Sequence, residues 1–325
     1  MQYKCSFGVI ENVELTPFIP FSFVVHGQLV EYKRPVVMGI LNVTADSFYD
    51  GGRHQEPEAM LAHARWLLEE GADIVDVGVA SSRPGALLPP PEEEAARLAE
   101  AVSLLRRELP GAVLSVDTCR AVAARAAVEA GADMVNDIGG GSLDEAMFRT
   151  VADLQVPYVL MHGADAHAFA HADADSVPMP AETDGAEAKE CVDGVVKFFA
   201  RQLDRLYTLG VKDVWLDPGF GFGKSLRENH LLLRRLDELT TLFREPLLVG
   251  LSRKSMVYKP LGISPDEALD GTVALDAMAL ERGARILRVH DPRPARQTIR
   301  LLAVGSDPEL SLHELHTPQP VHSNP

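Results

Sequence analysis

Cysteine is scarce in this chain: Cys5, Cys119 and Cys191 are its only three among 325 residues. Thiols so few and so far apart exclude a disulfide framework and a zinc cage, and fit reduced thiols in a cytosol. Long apolar runs are missing too, since no stretch approaches the roughly 20 residues of a membrane span. The N-terminus lacks the basic start and apolar core of a secretory signal. A cytoplasmic protein is expected. Positive charge is in deficit, with 31 Lys and Arg against 47 Asp and Glu, for a net charge of -16. That balance argues against partners made of nucleic acid or acidic membrane. Any anionic substrate must then be held by local cations working against the global field. What is present is an ordinary globular composition, 46% hydrophobic and 24% charged, with length for a large core. The length would allow two domains, but an α/β barrel routinely uses this much as one.

The segment VVMGILNVTADSFYDGGR (36–53) stops an apolar run abruptly in polar residues. Val36 to Leu41 reads as a strand buried on both faces, because it is continuously apolar rather than alternating. Asn42, Thr44, Asp46, Ser47 and Asp50 then crowd the loop. Taken alone this is equally a turn of ordinary turn formers or a site at a strand's carboxyl end.

From residue 36 onward the chain repeats one grammar of apolar strand, polar loop and amphipathic helix. Strands are predicted at 36–42, 73–78, 113–117, 134–138, 157–162, 214–217, 246–251 and 286–290. Helices are predicted over Glu58–Glu70, Glu92–Glu108, Arg120–Ala130, Ala188–Leu209, Arg227–Leu239 and Pro265–Arg282. In the first, Met60, Leu61, Ala64, Leu67 and Leu68 share one face. Gly71-Ala72-Asp73 and Gly131-Ala132-Asp133, with Gly283-Ala284-Arg285 as a variant, end a helix and restart a strand. Glycine there serves as a left-handed cap. Eight nearly equal units favour a closed (β/α)8 barrel over the alternative, a doubly wound open sheet. Residues 1–34 read as a hairpin extension packing on the barrel, 35–304 as the barrel itself, and 305–325 as a mobile tail. The loop 163–186 is long for a barrel and is either functional or disordered.

Polar residues collect at the strand ends. Asn42 ends the first strand, Asp76 lies in the second with Arg83 in its loop, and Asp117 ends the third. Asn136-Asp137, His162 and Asp217 follow, then Ser252-Arg253-Lys254-Ser255, and finally Arg288, His290 and Asp291. Packing alone would not tolerate so many desolvated polar groups at one end without a ligand or one another as partners. Asp117, Asn136 and Asp217 suit a flat, nitrogen-rich heterocycle, with Lys254 able to meet its carbonyl or ring nitrogen. Arg83, Arg288 and His290 are read as cationic donors for a phosphate or diphosphate. Asn42 could hold magnesium bridging that diphosphate. A base-like pocket beside an anion pocket suggests group transfer away from a diphosphate.

Two other patterns carry less. Gly219 to Ser225 resembles a phosphate-binding P-loop, but Pro218 stands where that motif requires its first glycine. His162, His167 and His171 with Asp165 and Asp173 have spacings a metal could use, within an alanine-rich stretch.

The stretches GILNVTADSFYDGG (39–52), DIVDVGVASSRPGA (73–86), LSVDT (114–118), MVNDIGG (134–140), LDPGFGFGK (216–224), VGLSRKS (249–255) and RVHD (288–291) occur in order. Each sits at a predicted strand end. With them the chain resembles the bacterial dihydropteroate synthases, folate-pathway transferases of the pterin-binding barrel family and the target of sulfonamides. The resemblance covers about residues 34–303. It implies condensation of 6-hydroxymethyl-7,8-dihydropterin diphosphate with 4-aminobenzoate, giving 7,8-dihydropteroate and diphosphate. It implies that Asp117, Asn136, Asp217 and Lys254 hold the pterin, with Asp76 nearby and Met161 and Phe222 lining the pocket. Asp117, Asp217 and Lys254 would also carry the catalytic electrostatics. Asn42 would bind Mg2+, and Arg83, Arg288 and His290 the diphosphate. Phe48, Ser82, Pro84 and Ser255 would build the aminobenzoate site, with residues 44–52 as a lid and a homodimer as the assembly.

The chain departs from the family wording in three places. Ala80-Ser81-Ser82-Arg83-Pro84 stands for a Glu-Ser-Thr-Arg-Pro sequence, Ala45 for a usual proline, and Gly163-Ala-Asp for a Met-x-Gly continuation after His162. These bear on loop closure and on the choice between aminobenzoate and sulfonamide. Two rivals differ in what they need. A pterin-binding methyltransferase acting on a corrinoid protein would not need the SRPG loop or Arg288 and His290. A catalytically silent paralogue would have lost loop ligands that this chain keeps.

Overall fold

A computed structural model describes residues 18–25, 27–43, 55–79, 89–163 and 184–306. Strand β1 (Phe21–Val25) and strand β2 (Gln28–Tyr32) form an antiparallel hairpin, Phe21 opposite Tyr32 and Val25 opposite Gln28. β1 alternates: Phe21, Phe23 and Val25 are buried while Ser22 and Val24 face out, the pattern of a sheet with one wet face.

Eight parallel strands follow: β3 (Val36–Asn42), β4 (Ile74–Gly78), β5 (Val113–Asp117), β6 (Met134–Asp137), β7 (Tyr158–Met161), β8 (Val214–Asp217), β9 (Leu248–Val249) and β10 (Ile286–Val289). Their order is β8-β7-β6-β5-β4-β3-β10-β9, and a parallel bridge between Leu216 and Leu247 joins the two ends. The sheet is therefore a closed barrel with an N-terminal hairpin, as the eight-unit grammar predicts.

The helices lie outside it: α1 (Gln55–Glu69), α2 (Pro91–Glu108), α3 (Ala121–Glu129), α4 (Met147–Leu154), α5 (Asp184–Thr208), α6 (Leu226–Arg234), α7 (Leu236–Leu242), α8 (Ser255–Leu261), α9 (Leu269–Glu281) and α10 (Pro292–Ser306). α2 shows why its sequence is helical. Pro91 starts it, Glu92, Glu93 and Glu94 fill its first turn, and Arg106 and Arg107 its last, each charge set against the helix dipole. α1 and α3 end on Gly71 (φ 103) and Gly131 (φ 115). The next amides, Ala72 and Ala132, donate back to Leu67 and Ala127. The aspartate that follows reaches the preceding strand: Asp73 accepts from Val37 N at 2.9 Å, and Asp133 from Leu114 N at 2.7 Å.

Strand parity sorts the core. Val37, Val75, Leu114, Val135 and Leu160 face the helices. Val36, Met38, Ile74, Val113, Met134, Val159, Trp215, Leu248 and Ile286 face inward and meet Phe21, Phe23 and Val25 of the hairpin. Trp215 stands edge-on to Phe23 at 4.8 Å and to Phe21 at 5.8 Å, a favoured aromatic geometry. The hairpin thus plugs the amino-terminal end of the barrel, and chemistry is left to the other end.

Some elements differ from expectation. The seventh barrel strand shrinks from 246–251 to Leu248–Val249. The helix expected over Arg227–Leu239 is two helices, broken where Arg235 leaves helical torsions (φ -115, ψ 23) and bonds to Glu238. The Pro265–Arg282 stretch opens with a separate 3-10 turn, Pro265–Glu267, capped reciprocally by Ser264 and Glu267. α10 runs to Ser306, two residues into the segment expected as a mobile tail. Among the described residues no helix is long and apolar enough to cross a membrane.

Candidate active site

Inward parity continues above the plug. Two residues beyond Ile74, Val113, Met134, Trp215 and Ile286 come Asp76, Ser115, Asn136, Asp217 and Arg288, with Asp117 two further along β5. A period of two therefore places these polar groups over one apolar floor. Asp137, adjacent to Asn136, has the opposite parity. Its carboxylate accepts from Tyr158 Oη at 2.6 Å and from Gly139 N and Gly141 N at 2.8 Å each. It organises the β6–α4 loop from behind the barrel wall.

Arg288 lies at the centre. Its Nε donates to Asp76 Oδ2 at 2.7 Å and its Nη2 to Asp117 Oδ2 at 2.6 Å. Asn136 Nδ2 donates to the same Asp76 oxygen at 2.9 Å. Asp76 Oδ1 is buried without a partner among the described residues. A guanidinium has five N–H donors and two are committed here, so the group keeps donors for an anion. Burial acts against its charge, yet Asp76 and Asp117 outweigh burial and raise its pKa. Burial also pushes Asp117 up to about 7, against the pull of Arg288. Arg288, expected as a diphosphate cation, is here the counter-ion of Asp76 and Asp117.

Lys254, just past β9, enters the mouth from the side. Its Nζ donates to Phe220 O at 2.5 Å and lies 4.5 Å from the Phe222 ring centroid. Burial lowers it to about 8, opposed by Asp217. Asp217 accepts from Gly219 N at 2.7 Å, and burial raises its pKa. Met161 is buried at the end of β7, in register with Asp217. Ser255 is the first residue of α8. Asn42 is exposed at the end of β3. Phe48, Ser82, Arg83 and Pro84 lie outside the described residues, as do Ala45, Ala80 and the 164–183 segment.

One sequence expectation needs correction. His290 is not a cation: burial, then the neighbouring Arg288 and Arg253, push its pKa down to about 4. It is a neutral imidazole whose Nδ1 pairs with Ser252 Oγ at 3.0 Å. Sequence reading also passed over Lys224. Its Nζ donates to His162 O at 3.1 Å, Gly219 O at 2.9 Å and Phe222 O at 3.2 Å. Lys224 thus uses the glycine-rich loop's own carbonyls and holds Phe222 beside Lys254. The available signal was a lysine directly after three glycines, whose loop leaves carbonyls unpaired. Among the described residues, no group of three or more His, Cys, Asp or Glu is placed to hold a metal.

A parallel barrel with carboxylates, an amide and buried cations converging at the strand ends defines a barrel enzyme whose mouth takes a polar, anionic ligand. The chain belongs to the pterin-binding enzyme family, among its dihydropteroate synthases. Residues 38–290 match the family described as pterin binding enzyme. A dihydropteroate synthase of Streptococcus pyogenes is 34% identical over 281 residues, covering 85% of this chain and 98% of that protein. One from Escherichia coli is 36% identical over 278 residues, covering 85% and 93%. Among solved structures, the Xanthomonas albilineans dihydropteroate synthase with 4-aminobenzoic acid superposes with a TM-score of 0.75. It is 37% identical and the match covers 88% of this chain and 98% of that one. The same organism's enzyme in complex with 7,8-dihydropteroate gives 0.72 at 36% identity, covering 88% and 99%.

Proposed function

We propose that this chain condenses 6-hydroxymethyl-7,8-dihydropterin diphosphate with 4-aminobenzoate, releasing diphosphate and forming 7,8-dihydropteroate for folate synthesis. The observation that carries the reading is the Asp76–Arg288–Asp117 arrangement with Asn136, over an apolar floor. It offers acceptors to the amino and ring N–H groups of a pterin and spare guanidinium donors to the diphosphate on its side arm.

In this reading Asp117, Asn136 and Asp217 hold the pterin edge, with Asp76 behind them. Lys254 meets the carbonyl or ring nitrogen, and Met161 and Phe222 enclose the ring. Arg288 and neutral His290 receive the diphosphate with Arg83. Ser255 takes the aminobenzoate carboxylate at the start of α8, and Phe48, Ser82 and Pro84 complete that second site. The side-arm C–O bond breaks first and its electron pair leaves with the diphosphate. Asp117 and Asp217 are then counter-charges to a methylene cation spread over the pterin. The arylamine nitrogen supplies the pair for the new C–N bond and afterwards releases a proton to water. An arylamine is already neutral near pH 7, so positioning and electrostatics rather than a strong general base lower the barrier.

Magnesium fits this mouth. The absence of a side chain on Gly78 leaves a cradle that a Cβ would fill, 3.6 Å from Asn42 Oδ1 and 3.6 Å from Asp117 Cβ. One amide oxygen plus phosphate oxygens and water is an ordinary magnesium set. Bound there, the ion would neutralise the leaving diphosphate. A cytoplasmic location and a homodimer complete the reading. The scarcity of cysteine supports the first, and sedimentation velocity tests the second.

Turnover of the two substrates with magnesium, followed by diphosphate release, tests the reading. We expect release that depends on 4-aminobenzoate. A folded protein that binds neither substrate and forms no product would refute it.

A further inference from the structure

The β9–β10 ladder is short. Leu248 pairs with Ile286 and Val249 with Leu287, after which the named pairing stops. Side chains then continue it in the same register, each partner 38 residues away. Ser252 Oγ meets His290 Nδ1 at 3.0 Å and accepts from His290 N at 3.2 Å. Arg253 donates through Nε to Asp291 Oδ2 at 3.0 Å and through Nη2 to Asp291 Oδ1 at 2.9 Å. Arg253 adopts a left-handed backbone (φ 57), a conformation costly for a side chain of this kind. Its amide is anchored to Thr272 Oγ1 at 3.1 Å, and that hydroxyl donates to Ala268 O at 2.8 Å. Before the rungs, Gly250 lies beside both Lys254 and Arg288. A Cβ there would lie 3.7 Å from Lys254 Nζ and 3.9 Å from Arg288 Cβ. Lys254 follows β9 and Arg288 lies in β10, so the spacing of these two strand ends sets the spacing of the two side chains.

We propose that the Ser252–His290 and Arg253–Asp291 rungs are a positioning clasp, which holds Lys254 and Arg288 at one spacing and presents His290 Nε2–H to the leaving diphosphate. The inference rests on the function read above. Ser252 Oγ accepts the His290 amide, and in the clasp its own proton goes to Nδ1, which keeps the ring proton on Nε2. The bidentate Arg253–Asp291 pair supplies direction as well as charge. Neither Ser252 nor Arg253 needs to touch a substrate, and both act through Lys254 and His290.

The test uses Arg253→Ala, Asp291→Ala and the exchanged pair Arg253→Asp with Asp291→Arg in the full chain, with an aspartate tolerating the left-handed backbone. Each single variant should lose about tenfold to a hundredfold in kcat, with KM for 4-aminobenzoate within about threefold and the melting midpoint nearly unchanged. The exchanged pair should recover most of the loss. Single variants within about twofold of the parent, or an exchange no better than the singles, would overturn the clasp. Should Arg253→Ala fail to fold, Arg253→Lys keeps the charge but not the two-point contact, and an unchanged kcat there would count equally against it. A 15N-histidine spectrum separates the two readings. If the parent protein forms no product, the proposed function falls, while the clasp still requires His290 as the Nε2–H tautomer in the parent. Ser252→Ala should shift that signal, and a signal unmoved by Ser252→Ala and Arg253→Ala would overturn the clasp.

Discussion

The two ends of the barrel use the same residue type in opposite ways. At the amino-terminal end, Asp73 accepts from Val37 N, from two nitrogens of Arg34 and from Arg296 Nη2. Asp133 accepts from Leu114 N and Arg106 Nη2. At the carboxyl end, Asp76 is fully buried yet leaves Oδ1 without a partner among the described residues. Asp217 has its neighbour Gly219's amide and the more distant field of Lys254. Burial raises Asp73 and Asp217 alike, so depth does not separate them. Partners do. A carboxylate whose acceptors are filled by guanidinium and backbone holds the fold together. In the proposed function, one left with open acceptors beside a cation holds a place for a ligand.

Removing the mouth's central cation should have the largest effect. Arg288→Met leaves Asp76 and Asp117 facing each other, and kcat/KM should fall by about a thousandfold or more, since a buried charge pair loses one partner at the reacting centre. Steady-state kinetics checks it, and a loss under about tenfold would mean that Arg83 and His290 suffice. At the base, Asp73→Ala should cost about 3 kcal/mol of stability, because it strands Arg34 and Arg296. The KM values of the remaining folded enzyme should be those of the parent. If instead activity drops while the denaturation midpoint stays put, the division between the two ends is wrong.

A smaller effect is read in pH. Burial lowers Lys254 and Lys224 from 10.5 to about 8 each. Between those values the unfolded chain holds protons that the folded chain has released. Stability from this pair therefore rises with pH across the window and is lost as pH falls through about 8. Activity should go the other way, since the proposed function uses Lys254 as an ammonium. We expect kcat/KM for the pterin to fall about tenfold per unit above its pKa, without unfolding. Parallel pH profiles of rate and melting measure this, and a flat rate profile to high pH contradicts it.

Much of this was legible in sequence. The eight units, the barrel and the polar residues at the strand ends follow from apolar runs that stop in polar residues. The left-handed glycine caps follow from the Gly-Ala-Asp steps. Facing was harder to read. Met134 to Asp137 is buried throughout, so no alternation tells which of Asn136 and Asp137 points inward; only the barrel's parity does. The charge of His290 is set first by its burial and then by Arg288 and Arg253, and no local pattern announces that depth or a neighbour 37 residues away in the chain (290 against 253). Lys224 was hidden by its likeness to a different motif, because a lysine that bonds phosphate and one that bonds carbonyls follow the same glycines. The break at Arg235 has neither glycine nor proline to mark it.

The central claim is that the open carboxylates of the mouth bind the pterin while those of the base carry the fold. Calorimetric affinity for the pterin diphosphate, compared between the parent and Asp217→Asn, tests it most directly. The substitution keeps shape and removes charge. We expect affinity to drop by about a hundredfold, the loss of a charged hydrogen-bond partner to a buried ligand, with the melting midpoint preserved or raised. Unchanged affinity would contradict the account, and so would a loss of affinity matched by a loss of fold.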